Sequence, residues 1–197
     1  MDNSTRKNFE EPPWSAPLDI AAALRAIPES ATVTGMFLIP LVERARSQGI
    51  TLPSARARYV PYSFYPLREH AHLLVETCVR FYPSLPMRQA LRRLGLGAPD
   101  ALVTSVVGKV VLGSAVGVEQ AITAMVRAYP LNLRPGSTEV LSMTPQDAVI
   151  RLRDIYYFLD SHHVGAFEGI LKFVGKTGSV RICQYSESAA DLLCTWR

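Results

Sequence analysis

Apolar residues recur with a helical period over the first two thirds of this chain and with a strand period over the last third. Leu18, Ala21, Ala22 and Leu24 space a helix that Pro28 ends. Phe37, Leu38, Leu41, Val42 and Ala45 form an apolar stripe over residues 35–47, with Gly49 as a fitting stop. Pro40 sits awkwardly inside that stripe and points to a later helix start. Residues 51–65 read as irregular, with Pro53, Pro61 and the aromatic group Tyr59, Tyr62, Phe64 and Tyr65. Pro66 then opens a helix through Phe81, at a first-turn position where proline is tolerated. A short helix from Pro86 to Leu94 follows, stopped by Gly95 and Gly97. Residues 101–115 are apolar almost all round and predict a buried helix, although the many valines leave a strand open. Val118 to Ala128 is helical, and Tyr129-Pro130 is expected to close it. Tyr-Pro recurs at 65–66, 82–83 and 129–130, each time at an expected helix boundary.

After Pro135-Gly136 the period shortens. Thr138 to Met143 and Ala148 to Leu152 predict a hairpin around Thr144-Pro145-Gln146-Asp147. Ser179 to Gln184 and Asp191 to Trp196 predict a second one around Ser186-Glu187-Ser188. Between them, Phe158 to Val174 reads as one helix with Asp160, or else Ser161, as its N-cap. Gly165 and Gly169 lie one turn apart on it. Each costs roughly 1 kcal/mol in a helix relative to alanine, so another backbone packs close there or a groove needs an open wall. The expected fold class is α+β: five or six helices on one side of a four-stranded antiparallel sheet, with β-β-α-β-β order at the C-terminus. Residues 1–17, polar and proline-bearing, are expected to form a flexible tail, and 18–197 a single domain.

Composition narrows the function classes. The 197 residues are 48% hydrophobic and 19% charged, with a net charge of +4. Lys and Arg form no long run; Arg88, Arg92 and Arg93 are the densest basic group and read as an ordinary solvated face, so no nucleic-acid partner is expected. No apolar run approaches the ~18–20 residues of a membrane span, and the first residues lack the apolar core of a secretory signal. Cys78, Cys183 and Cys194 are odd in number and sit among apolar neighbours, which suits free thiols in a cytoplasmic protein.

Taken with this order of elements, Tyr65-Pro66-Leu67-Arg68, Ala90 to Gly95, Val164 to Gly169 and Cys194-Thr195-Trp196 carry a resemblance. They resemble a single-domain family of unknown function that occurs as many paralogues in myxobacteria. More distantly, the layout is similar to a superfamily of haem-nitric-oxide-binding domains, 4-vinyl-reductase-type sensory domains and acyl-chain-holding subunits of vesicle-tethering particles. That resemblance implies a helical layer over a four-stranded sheet with an apolar ligand cavity between. It transmits no function by itself.

Candidate chemistry is sparse. His70 and His72 point roughly 200° apart on one helix and cannot both ligate one metal from it; adjacent His162 and His163 do no better. Any of the four could serve as a single haem ligand, but the Tyr-x-Ser-x-Arg signature that holds the propionates in the haem-binding branch has no match. The cysteines lack zinc spacing, and no nucleophile elbow, phosphate loop or dinucleotide fingerprint occurs. Glu168 either anchors a ligand in a pocket, with a raised pKa, or pairs with an arginine or loop backbone; pairing is the expectation. The aromatic group at 59–65 covers a core edge, or lines a pocket mouth or interface. The reading is therefore a non-enzymatic cytoplasmic module that senses or holds a small apolar or acyl-like ligand, without cofactor or metal and as a homodimer or with a protein partner. Its candidate ligand-binding residues are Ser105, Gly108, Val111, Ile122, Met125, Gly165, Glu168 and Gly169. The competing class is a protein-interaction scaffold whose interior is filled by its own side chains.

Overall fold

The computed structural model describes residues 8–103 and 117–197, without the side chains of 101–103. The expected buried helix at 101–115 lies mostly outside these residues, as do the candidates Ser105, Gly108 and Val111. Within them, helices α1 (Ile20–Ala26), α2 (Gly35–Ser47), α3 (Leu67–Phe81), α4 (Met87–Leu96), α5 (Ala98–Val103) and α6 (Val118–Asn132) precede a C-terminal unit. That unit comprises strands β4 (Ser137–Met143) and β5 (Asp147–Arg153), a π-helical turn (Leu159–His163), helix α7 (Val164–Phe173), and strands β6 (Gly178–Ser186) and β7 (Ala189–Trp196). Three short strands, β1 (Thr32–Thr34), β2 (Phe64–Pro66) and β3 (Leu133–Arg134), complete the description. The fold is α+β, as the periodicity predicts.

The C-terminal sheet runs β4-β5-β7-β6, antiparallel throughout. Its strands sort their residues by the two-residue period. Ala148, Ile150 and Leu152 of β5 and Ala190, Leu192 and Cys194 of β7 enter the main core under the helices. Val149 and Leu193, paired across the strands, face the other way. That second face is not bare. Phe9 is buried on Val149 and Leu193, and Glu10 bridges to Ile182 on the β6 edge with both backbone hydrogen bonds at 2.9 Å. The N-terminal segment expected as a tail thus lies along the domain from Asn8 onward. Phe9, Pro12 and Trp14 supply the apolar contacts that its polar composition hides.

Three further departures have local causes. First, α2 begins at Gly35 despite Pro40, because the carbonyls of Ser63 and Pro61 satisfy the N–H groups of Gly35 and Met36. Second, α6 continues through Tyr129-Pro130 to Asn132. Pro130 cannot donate to the Val126 carbonyl, but the Thr138 hydroxyl does so at 2.5 Å. Third, the antiparallel sheet β2-β1-β3 is assembled from strands of two or three residues, too short to show a period.

The glycine pair meets backbone. A Cβ on Gly165 would strike the Arg92 carbonyl of α4, and one on Gly169 would lie 2.5 Å from the Leu96 carbonyl oxygen and 2.9 Å from Pro99 Cδ. Gly95, read from sequence as a helix stop, lies inside α4 and presses in return on the His162 carbonyl. The seam has no slack for even one methyl group. We therefore expect Gly169→Ala to cost about 1–3 kcal/mol, which is the usual cost of overpacking, and Gly169→Leu to cost more. At roughly 2–4 °C per kcal/mol for a chain of this size, thermal melts should show losses of several degrees for both. A parental melting temperature in Gly169→Leu would mean that α4 and α7 do not touch there.

Candidate functional site

Three histidines meet inside the helical layer. His70 projects from α3, and His162 and His163 come from the π-helical turn; all three are buried. His72 is exposed, as the opposed directions of His70 and His72 require. Tyr157 is the hub of the cluster, with ring centroids 5.3 Å from His70, 6.1 Å from His162 and 4.6 Å from His163. Tyr129 of α6 lies 5.8 Å from His163, and Phe37 of α2 lies 6.2 Å from His70.

The backbone between β5 and α7 makes this convergence possible. Asp154 and Phe158 both adopt left-handed conformations, at φ 56° and 46°. Aspartate tolerates that region, whereas for a phenylalanine it is strained. Phe158 then accepts an i→i+5 hydrogen bond from the His163 N–H at 3.3 Å. Such π-turns are rare and concentrate at functional sites. Asp160, expected as an N-cap, sits within the turn and forms an ion pair with Arg88 of α4 instead.

Burial sets the charge of the cluster. Desolvation pushes the His70 and His163 pKa values down to about 3 and that of His162 to about 4. Neighbouring imidazoles push His70 and His163 further in the same direction. The phenols of Tyr129 and Tyr157 are held well above their usual range by burial. The cluster is thus neutral at physiological pH. The nearby Leu91 backbone pulls the His162 pKa partly back up, and His163 Nδ1 lies 3.4 Å from the Phe158 carbonyl. Among the described residues, His70 Nδ1, His162 Nδ1 and His163 Nε2 find no hydrogen-bond partner. A buried group left unsatisfied costs about 1–3 kcal/mol, so each of these atoms asks for an explanation.

Next to the cluster lies a cavity of about 70 Å³ among α2, α3, α4, α5, α6 and α7. Its walls include Met36, Phe37, Leu74, Met125 and Ala166, with His70, Tyr129, Tyr157 and His162 at one side and Arg44 as its charged lining residue. Arg44 donates to the Tyr82 hydroxyl at 3.0 Å and stacks over Phe81.

The sequence candidates fall into separate places. Met125 lines the cavity, and Ile122 is buried on the same helix. Gly165 and Gly169 form the seam with α4. Glu168 faces away into a surface groove, where Arg92 Nε and its terminal nitrogen each donate to it at 2.7 Å and Trp14 stacks on the guanidinium. The basic group of α4 is accordingly divided between ion pairs: Arg88 to Asp160 and Arg92 to Glu168. Among the 59–65 aromatics, Tyr59 is buried, whereas Tyr62 and Phe64 are exposed. Sequence reasoning missed the histidine cluster. The available signal was three histidines within apolar helical segments, where an unpaired polar residue is out of place.

The depressed histidine pKa values fix a pH dependence. Each imidazole binds a proton in the unfolded chain near pH 6.5 but not in the folded one until about pH 3–4. Stability is therefore complete above about pH 6.5 and is lost as pH falls, at up to about 1.4 kcal/mol per pH unit for each histidine. Calorimetry between pH 7 and pH 5, above the carboxylate range, should show a falling melting temperature. His163→Phe should flatten that fall; an unchanged slope would show that His163 titrates normally.

With this geometry in hand, comparison with solved structures is informative. The chain is similar to an H-NOX domain from Shewanella oneidensis in the Fe(II)CO state, at 10% identity and a TM-score of 0.64, covering 83% of this chain and 98% of that one. It is also similar to an Fe(II) unliganded H-NOX protein from K. algicida, at 10% identity and a TM-score of 0.59, covering 83% and 96%. An oxygen-binding H-NOX domain related to soluble guanylate cyclases matches at 13% identity and a TM-score of 0.58, covering 83% and 92%. These likenesses establish the H-NOX fold. No curated protein sequence matches the chain. Haem, named for the H-NOX family, does not fit the described residues. The cavity of about 70 Å³ is far below the roughly 300–1,000 Å³ of sites for larger ligands, and Arg44, its one lining cation among the described residues, is engaged with Tyr82. Apart from haem, whose iron needs only one protein ligand, no group of three or more His, Cys, Asp or Glu side chains among the described residues could hold a metal ion. The sequence itself, over residues 26–197, matches one family throughout: the chain belongs to the DUF2378 family of proteins of unknown function.

Proposed function

We propose that this chain is a non-enzymatic sensory module that holds a small, mostly apolar molecule in the cavity beside the histidine cluster. The observation that carries the reading is the cavity itself. It is mostly apolar, lies among six helices, and is bordered by the buried rings of His70, Tyr129, Tyr157 and His162. A fold interior built only for stability would fill such a space. The neutral imidazoles and phenols present no activated nucleophile, and the buried thiols of Cys78 and Cys194 are pushed up by desolvation, Cys78 to about 12. Three unbridged cysteines accord with a cytoplasmic setting. Met125 remains part of the proposed ligand wall, with Ile122 buried behind it on the same helix; Ser105, Gly108 and Val111 lie outside the described residues. Glu168, Gly165 and Gly169 act behind it by fixing α7 on α4.

Native mass spectrometry of freshly purified protein should show a retained small molecule that leaves on denaturation. Thermal melts should also rise with added ligand, by about 2.7 kcal/mol of stability at a hundredfold excess over Kd. The bare polypeptide mass, together with melts unmoved by small aromatic or short acyl compounds, would favour a scaffold with a self-filled interior.

A second reading, association with another copy or a protein partner, rests on Val60, Tyr62 and Phe64. They are 46%, 67% and 37% exposed within five residues, an apolar group of the kind that interfaces cover. Sedimentation should show a dimer that Tyr62→Ser combined with Phe64→Ser reduces to monomer without lowering the melting temperature. A monomeric parent at high concentration would exclude self-association through this segment.

A further inference from the structure

We propose that the groove on the solvent side of the α4–α7 seam is a second binding site, one that takes a small organic dianion with an apolar body, the chemistry of a phosphate monoester. It is separate from the interior cavity and does not depend on it. The groove offers about 650 Å³, within the roughly 300–1,000 Å³ of small-molecule sites. Two helix faces line it. Gln89, Arg92, Arg93 and Leu96 recur at i, i+3, i+4 and i+7 on α4, and Glu168 and Lys172 lie one turn apart on α7. Lys176 completes the α7 side, and the helix end sets its place. Gly175, at φ 73°, donates to the Lys172 carbonyl, and the Lys176 N–H donates to that of Leu171, both at 2.9 Å. The third wall is the N-terminal segment, which pairs with the β6 edge at Glu10 and places the Trp14 ring 4.4 Å from the Arg92 guanidinium.

The charges in this groove do not cancel. Glu168 is the one carboxylate among its described lining residues, and Arg92 takes both of its oxygens. Glu11, on the N-terminal segment, also acts on Arg92. Arg93, Lys172 and Lys176 have no ion-pair partner among the described residues, and Arg93 lies over the Tyr82 ring at 6.0 Å. Three uncommitted cations thus line one groove of a chain whose net charge is +4. The dipole of α7 accounts for a cation at its C-terminal end, but not for Arg93 on the neighbouring helix. Several cations around one volume match a dianion, whose oxygens accept charge-assisted hydrogen bonds. Trp14, Leu85 and Leu96 supply apolar wall for a body that gains by leaving water.

Trp14 reports on the groove, because the other tryptophan, Trp196, is buried in the core. Phenyl phosphate, inorganic phosphate and phenol make the test, since they carry charge and body together, the charge alone and the body alone. Phenyl phosphate should change the tryptophan fluorescence of the full chain saturably, and Trp14→Phe should abolish the change. In the parent protein the affinity should fall as salt is added, a readout that needs no variant. Lys172→Ala combined with Lys176→Ala, at two exposed positions, should weaken binding about fivefold or more and leave the melting temperature near that of the parent. Inorganic phosphate should bind more weakly, and phenol should leave the Trp14 signal unmoved, whether or not it enters the interior cavity. An absent or unsaturable response, an affinity that the double variant leaves unchanged, or inorganic phosphate binding as tightly as the ester would overturn the site as described. Capture of the chain by anionic vesicles without a response to phenyl phosphate would overturn it in favour of a membrane surface. None of these outcomes bears on the cavity, whose ligand native mass spectrometry reads separately.

Discussion

The backbone-to-backbone contact between α4 and α7 is the constraint on which the candidate site depends. Gly165 and Gly169 let α7 approach the carbonyls of Arg92 and Leu96, and Gly95 lets α4 approach the His162 carbonyl. Three glycines in two helices cost about 3 kcal/mol of helix propensity in sum, a large share of the stability of a single domain. Close packing along the seam has to offset that. The bidentate Arg92–Glu168 pair crosses the same seam from its solvent side, and Arg88–Asp160 crosses it one turn away. These pairs fix the register of the two helices, and the glycines fix their distance. Glu168 is in this sense a clasp on the back of the site.

Because α7 is held so close, the chain leading into it must turn tightly. It leaves β5 through two left-handed residues and enters a π-helical turn, which delivers Tyr157, His162 and His163 to the interior. The seam thus places two of the three histidines, while α3 supplies the third. Burial then keeps all three neutral, so the cluster offers lone pairs and not charge. A neutral cluster of this kind suits the recognition of an uncharged molecule. It also makes the fold itself sensitive to mild acid.

The H-NOX fold is shared with proteins whose structures are described by the state of an iron centre, and the described interior of this chain is filled largely by its own rings. Phe37, Tyr129, Tyr157 and the histidines occupy the space beside the cavity with their own rings. The architecture, a helical layer over a four-stranded sheet, is retained at about 10% identity because it depends on periodicity and not on particular side chains. What sits inside depends on single residues, and those are free to change.

This division also separates what the sequence determined from what only the tertiary structure decided. The two hairpins were legible because short apolar runs flank the polar turns at 144–147 and 186–188, a signal that needs no knowledge of partners. The helices from Leu67 and Val118 were legible from their apolar stripes, and the Gly165/Gly169 spacing announced a close neighbour. The identity of that neighbour was not legible, since Arg92 and Glu168 meet across 76 positions and Gly95 looks like an ordinary helix stop. The continuation of α6 past Pro130 was hidden too, because it relies on the Thr138 hydroxyl from another strand. So was the split of 158–174 into a π-helical turn and a helix. Local propensity favours one continuous helix there, and only the need to bring His162 and His163 to Tyr157 while seating α7 on α4 selects the wider turn. Periodicity is a property of neighbours along the chain. The site is made of residues that become neighbours only when the chain is folded.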